Sequence, residues 1–376
     1  MSHSSSPALL HEPRMLVVLA GAASVGTRTV TALERAVAPN LEALATRGRT
    51  GRLRAVAPHL PAEEASAHPT LLGVAIPESL DVATVAAESV GASLAPGEHC
   101  TLIEVLDHAG EPAPALHVAR AVEVLRSLLP GHRVATVRRG NQVLLAGDRI
   151  SALPVVDGLE LRAAPEGWLP ERPPLDDRTV VVAIAGTAIL GVARLLGAAS
   201  VVVDGVRAGR VDPVPGRLRE AATRALLGGA STVIVESAAP LLARRGLRDE
   251  PGRERAVGEA IAKLDRELIG PLWTAATWRN AAFAVTADIA RLSSGQPERG
   301  DVPLIVAAGR EAVRAAAMPR TAGDGVLVPA AYSERGVRDR PIVTSPFVEP
   351  PVRDPDAPVR FTRDAETGIT VPAPVE

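Results

Sequence analysis

The sequence predicts an α/β protein with a mostly parallel sheet covered by helices and a smaller α+β unit set into the chain path. Three observations carry that expectation. Short apolar runs alternate with helical stretches, the pattern of strands joined by crossover helices. Hydrophobic residues make up 47% of the 376 residues but aromatics only 2%, enough for a large core packed with Ala, Val, Leu and Ile. Between about 95 and 175 the texture changes to short strands and turns around one helix.

The elements follow in order. "MLVVLAG" (15–21) is apolar throughout, as in a strand buried on both faces. Pro39 opens a helix in "PNLEALATRG", with Leu41, Leu44 and Ala45 on one face and Gly48 as its stop. "SAHPTLLGV" reads as a turn and short helix. In the second texture, "HCTLIEVLD", "HRVATVRRG" and "NQVLLAGD" are strands, and "ALHVARAVEVLRSLL" is the helix among them. The α/β pattern returns with the strand "RTVVVAIAG", the helix "TAILGVARLLG", the strand "ASVVVDG", a helix over 216–227 and the strand "STVIVES". The longest helix spans roughly 253–279, where Val257, Ile261, Leu264, Leu268 and Leu272 recur at three- or four-residue spacing. Strands "AAFAVTA" and "VPLIVAAG" complete the core. The expected organisation is a core over 14–90 and 178–345, an inserted α+β domain over 91–177, and a Pro-rich tail over 346–376.

Composition excludes several function classes. With 41 basic and 43 acidic residues spread along the chain, the net charge is −2, and no basic stripe offers itself to a phosphate backbone. So few aromatics also disfavour base stacking, so no nucleic-acid partner is expected. Lys263 is the only lysine, which removes the P-loop Gly-Lys-Ser/Thr and leaves little scope for Schiff-base chemistry. Cys100 is alone, so neither a disulfide framework nor a thiolate cluster is available. No segment has the length of a membrane span or signal peptide, and the expected setting is the cytoplasm.

Several blocks, taken in order, resemble the archaeal type of cofactor-independent phosphoglycerate mutase, a branch of the alkaline phosphatase superfamily. The clearest is "TALERAVAPNLEALATRGRTGRLRAVAPHLPAEEASAHPTLLGV" (31–74). "ESVGASLAPGEHCTLIEV" is similar to the entry into that family's inserted domain, and "AIAGTAILGVARLLG" to its return to the core. "VIVESAAP" and "AVGEAIAKLDRELIGPL" follow its later strand and helix. The resemblance covers most of 15–345. It implies an alkaline-phosphatase-like three-layer core with an inserted domain. It also implies phosphoserine chemistry supported by two divalent metals, which neutralise the phosphoryl oxygens and ionise the nucleophile.

Matched position by position, this chain has lost most of that machinery. The first strand should end in Asp-Gly and ends in Ala20-Gly21. Counting back from His68, Glu64 takes the place of the nucleophilic serine, with Glu63 and Ala65 beside it. Ala239 and Ala243 stand where an aspartate and a histidine are expected, and Ile289 replaces the histidine after the retained Asp288. The insertion-exit lysine and aspartate correspond to Leu190 and Thr187. The last of the eight histidines is His132, so no register can supply the missing ones. Asp288 alone cannot hold a metal pair.

The expectation is therefore a phosphoglycerate-mutase-like pseudoenzyme with no metal, no cofactor and no catalytic residues. It would bind an unknown protein partner or a small anionic metabolite, without a membrane partner. Glu64, Ser66, His68, Arg133 and Asp288 are the candidate binding residues. Each has a plainer role open to it: Glu64 as a loop carboxylate, Ser66 as a structural or capping hydroxyl, His68 as a packing residue, Arg133 as part of a solvated face. The alternative is a repurposed, metal-independent enzyme acting on a phosphorylated or carboxylated metabolite, with Glu63, Glu64, Ser66, His68 and Asp288 as its acid–base set. A conventional mutase is the third reading.

Overall fold

A computed structural model describes residues 13–23, 37–92, 94–95, 97–137, 141–171, 174–175, 177–203, 206–207, 210–211, 215–244, 250–291, 297–298, 301–307, 337–338, 361–363 and 370–372. The chain forms two compact units, Met1–Ile342 and Val343–Glu376. Within the second, β15 (Phe361–Arg363) pairs antiparallel with β16 (Thr370–Pro372). The rest of the Pro-rich tail lies outside the described residues.

The first unit is built on an eight-stranded sheet. Its central strands are β12 (Ala282–Ala287), β1 (Arg14–Leu19), β11 (Thr232–Ser237) and β7 (Thr179–Ile184), side by side and parallel. β8 (Ala199–Val203) extends the parallel run beyond β7. On the other side, β13 (Asp301–Ala307) runs antiparallel to β12, followed by β2 (Arg49–Arg54) and the two-residue β14 (Val337–Arg338). The β2 strand was not expected from "RTGRLR", which carries three arginines and no apolar run; its pairing with β13 overrides weak local propensity. β9 (Val206–Arg207) and β10 (Arg210–Val211) form a separate small ladder.

Every residue of β12 is buried, and all but the first of β1. Successive side chains point to opposite faces, so the sheet must be covered on both. Two helix groups provide that cover. One comprises α1 (Pro39–Arg47), α6 (Pro215–Leu227), a π-helical turn (Asp265–Ile269) and α9 (Gly270–Trp278). The other comprises α2 (Glu64–Leu72), α3 (Val82–Ser89) and α5 (Ala188–Leu195). α7 (Ala239–Ala243) is short and packs on α8 (Glu250–Leu264).

α8, the π turn and α9 together are the long helix expected over 253–279. Val257, Ile261, Leu264, Leu268 and Leu272 are all buried, as their spacing required. The π turn was not expected, because one residue of extra winding leaves an apolar stripe almost unchanged. It has a local purpose: it presents Asp265 to the start of α1. There Ala38 has no side chain able to cap, and the Asp265 carboxylate accepts from the Asn40 and Leu41 amides at 3.0 and 2.8 Å.

A second, four-stranded antiparallel sheet lies in the order β4 (Arg133–Val137), β5 (Gln142–Gly147), β3 (His99–Leu106), β6 (Glu160–Ala163). One face buries Ile103, Val105, Val143 and Leu145 against α4 (Ala115–Leu128). Leu102, Val137 and Leu144 on the other face pack on Ala83, Ala86 and Ala87 of α3. α3 also abuts α5 so closely that a Cβ on Gly191 would lie 1.9 Å from the Val85 carbonyl oxygen. One helix thus ties the small sheet to the large one.

Candidate functional site

Parallel strands deliver residues to one edge of a sheet, and Gly21, Glu236 and Asp288 lie at the carboxyl ends of the neighbours β1, β11 and β12. α2 is buried along its whole length and crosses toward these ends. Its Glu64 and His68 are four residues apart and share a helix face.

The centre of the cluster is Arg291. Its Nη2 donates to Asp288 Oδ2 at 2.7 Å and to Glu64 Oε1 at 3.0 Å. The remaining Asp288 oxygen, Oδ1, accepts from the Gly21 amide at 2.8 Å. The Gly21 carbonyl in turn accepts from Arg244 Nε at 3.1 Å, and Arg244 Nη2 lies 3.5 Å from Glu254 Oε1. Asp288 and Arg291 are only 1% and 3% exposed. Gly21 has to be glycine: its φ is +77° and a Cβ would sit 2.8 Å from Leu241 Cα.

Charge states follow from these contacts. Burial pushes the Asp288 carboxyl up, but the Arg291 guanidinium, the Gly21 amide and His68 outweigh it and hold the pKa below the ordinary value. Burial pulls His68 down to about 4, with Asp288 opposing and Arg291 reinforcing. His68 Nε2 lies 3.6 Å from Glu236 Oε1, and neither ring nitrogen has a hydrogen-bond partner. At neutral pH the His68 imidazole is therefore neutral and forms no ion pair with Glu236. Arg244 is also pulled down by burial, opposed by Glu254.

Three of the five candidate residues meet here. Glu64 and Asp288 share Arg291, and His68 lies among them. Ser66 is fully buried one turn away, donating to Ser79 at 3.1 Å, while Ser79 donates to Glu63. That is a structural hydroxyl, closed off from any substrate. Arg133 is elsewhere: it begins β4, is over half exposed, and pairs with Glu98 at 2.6 Å. Burial of Cys100 raises its thiol to about 12, so it is inert.

Arg291, Arg244 and Glu236 were not among the expected site residues. Arg291 stands three residues after Asp288, the one available signal, but nothing local distinguishes it from the other arginines.

A metal pair does not fit this arrangement. The guanidinium of Arg291 lies within hydrogen-bond distance of Glu64 and Asp288, supplying the positive charge itself. Among the described residues, no group of three or more His, Cys, Asp or Glu is placed to hold a metal ion.

Beside the cluster, between the large sheet and the small one, lies a cleft of about 320 Å³. Glu63 and Glu64 at the start of α2, Val82 and Val85 of α3, and Leu102 and Glu104 of β3 line it. Glu64 thus has one oxygen in the buried lattice and borders the cleft. Among the described residues, no helix is long and apolar enough to cross a membrane.

No protein-family model matches this chain, and no curated protein matches it. Solved structures do. The PH0037 protein from Pyrococcus horikoshii aligns over 80% of this chain and 86% of its own, with 19% identity and a TM-score of 0.58. A cofactor-independent phosphoglycerate mutase from Thermoplasma acidophilum aligns over 79% of this chain and 90% of its own, with 17% identity and a TM-score of 0.47. The first likeness shows a shared fold; the second is too low to carry an argument.

Proposed function

We propose that this chain is a phosphoglycerate-mutase-like protein in which a buried arginine–carboxylate lattice has replaced the two-metal phosphoserine centre, and that it acts by binding a protein partner or small ligand. The observation that carries this reading is Arg291, bridging Asp288 and Glu64 with one nitrogen at 2.7 and 3.0 Å. Asp288 is the retained ligand type of the motif comparison, and Glu64 stands at the nucleophile's place. A fixed guanidinium there neutralises the carboxylates, as bound metal would, but leaves no open coordination position for a phosphoryl oxygen. Glu64 cannot form a serine phosphoester, and the neighbouring Ser66 is sealed and hydrogen-bonded.

The repurposed-enzyme reading loses most of its acid–base set to burial. Ser66, His68 and Asp288 are at most 1% exposed, which leaves Glu63 and Glu64 as the members that border the cleft.

The test is direct. Purified protein is incubated with excess Mn²⁺ or Zn²⁺, desalted, and analysed for metal and for interconversion of 2- and 3-phosphoglycerate. The expected result is substoichiometric metal and no turnover above the background rate. Two metals per chain together with isomerisation would overturn the reading.

A further inference from the structure

We propose that the cleft between the two sheets is a binding site for a small organic amine with a compact apolar body. This goes beyond the function proposed above, which commits to no ligand charge, and it departs from the anionic metabolite expected from the sequence.

The volume, about 320 Å³, is at the small end of the roughly 300–1,000 Å³ typical of ligand pockets. Its apolar lining is aliphatic: Val82 and Val85 of α3 with Leu102 and Val137 of the small sheet. A few polar groups converge on this apolar space, the usual design of a small-molecule site. Their charge is one-sided. Glu64 is bonded to Arg291, but Glu63 and Glu104 also line the cleft. Ser79 donates to Glu63, and Asn141 donates to Glu104 at 3.3 Å; both are neutral partners that leave the carboxylate charge uncompensated.

The only guanidinium among the described lining residues is Arg162, and it is already engaged. It lies opposite Glu104 in the β3–β6 register, yet its Nη2 donates to Glu160 at 2.8 Å and its side chain is 60% exposed. An anion entering the cleft would meet two carboxylates before one outward-turned arginine. An ammonium would be attracted by both, and the aliphatic walls would take its carbon skeleton.

The experiment is a charge ladder on the full chain, followed by calorimetry or ligand-observed NMR. The probes are phenethylamine, its neutral analogue 2-phenylethanol, its anionic analogue 3-phenylpropionate, and 3-phosphoglycerate. The amine should bind about tenfold or more tighter than the alcohol, the value of one charge-assisted hydrogen bond. The preference should weaken as salt rises. Glu104→Gln should weaken the amine about fivefold or more and leave the alcohol unchanged. Glu123→Gln removes the same charge from α4, on the opposite face of the small sheet, and should leave the amine's affinity unchanged. Melting curves of both variants verify that they are folded. Tighter binding of either anion, no measurable amine binding, or equal amine affinity in Glu104→Gln would overturn the proposal. Metal uptake and turnover, which would sink the scaffold reading, are read in a separate assay, so the two failures are distinguishable.

Discussion

Arg291 concentrates the electrostatic problem of this protein in one side chain. Two carboxylates and one guanidinium are taken out of water together, and their mutual pairing offsets the cost of burying each. Arg291→Met is therefore expected to destabilise the fold by about 3–5 kcal/mol, since it strands Glu64 and Asp288 without their shared cation. Combining it with Glu64→Gln and Asp288→Asn should recover most of that loss. Urea unfolding of the single and triple variants decides the matter. A triple variant no more stable than the single one would mean that shape, not charge, is what Arg291 contributes. The residue scale is also where the sequence was least legible. Asp288 and Glu64 could be singled out from motif positions, but Arg291 bonds to a residue 227 positions away.

Elements carry a second device of the same kind, a cap supplied from a distance. α1 begins at Ala38-Pro39, a start that leaves its first amides without a local acceptor. The π turn aims Asp265 at them, and the Asn40 side chain also donates to the same carboxylate at 3.0 Å. Asp265→Ala should cost about 2 kcal/mol or more, above the usual loss for an N-cap, because a buried helix end would be left unsatisfied. Thermal unfolding measures it, and a change under 0.5 kcal/mol would show that water replaces the carboxylate. The helix itself was legible, since its apolar stripe has a period. Its π turn was not, because no periodic signal distinguishes five residues of wider winding inside a rod of twenty-nine.

At the scale of the whole molecule, buried titratable groups make stability depend on pH in two separate windows. His68 holds a pKa of about 4 in the fold, against about 6.5 in an unfolded chain. Between those values the unfolded chain binds a proton that the folded protein refuses, so stability falls as pH drops through this range, by roughly 3 kcal/mol at pH 4. Asp288 acts in the same direction in a lower window. Its folded pKa is depressed, so its contribution is full above the ordinary carboxylate value and is lost as pH falls further. Urea unfolding at pH 7, 5.5 and 4 should show the first slope in the parent protein and a flatter one in His68→Leu. Parallel slopes would assign the loss to other groups.

What the sequence determined by itself was most of the strands and helices, their α/β order, and the stripes that face the core. These are local properties: apolar periods of two and 3.6 residues. The tertiary structure alone decided which polar groups meet at the carboxyl ends of the parallel strands. Glu64 lies 227 positions from Arg291, and only the packing of α2 over the parallel strand ends brings it within hydrogen-bond distance of the Asp288–Arg291 pair. The cleft is likewise a product of packing, because its lining comes from α2, α3 and the small sheet together. A sequence pattern records which face of an element is apolar; it does not record which other face it will meet.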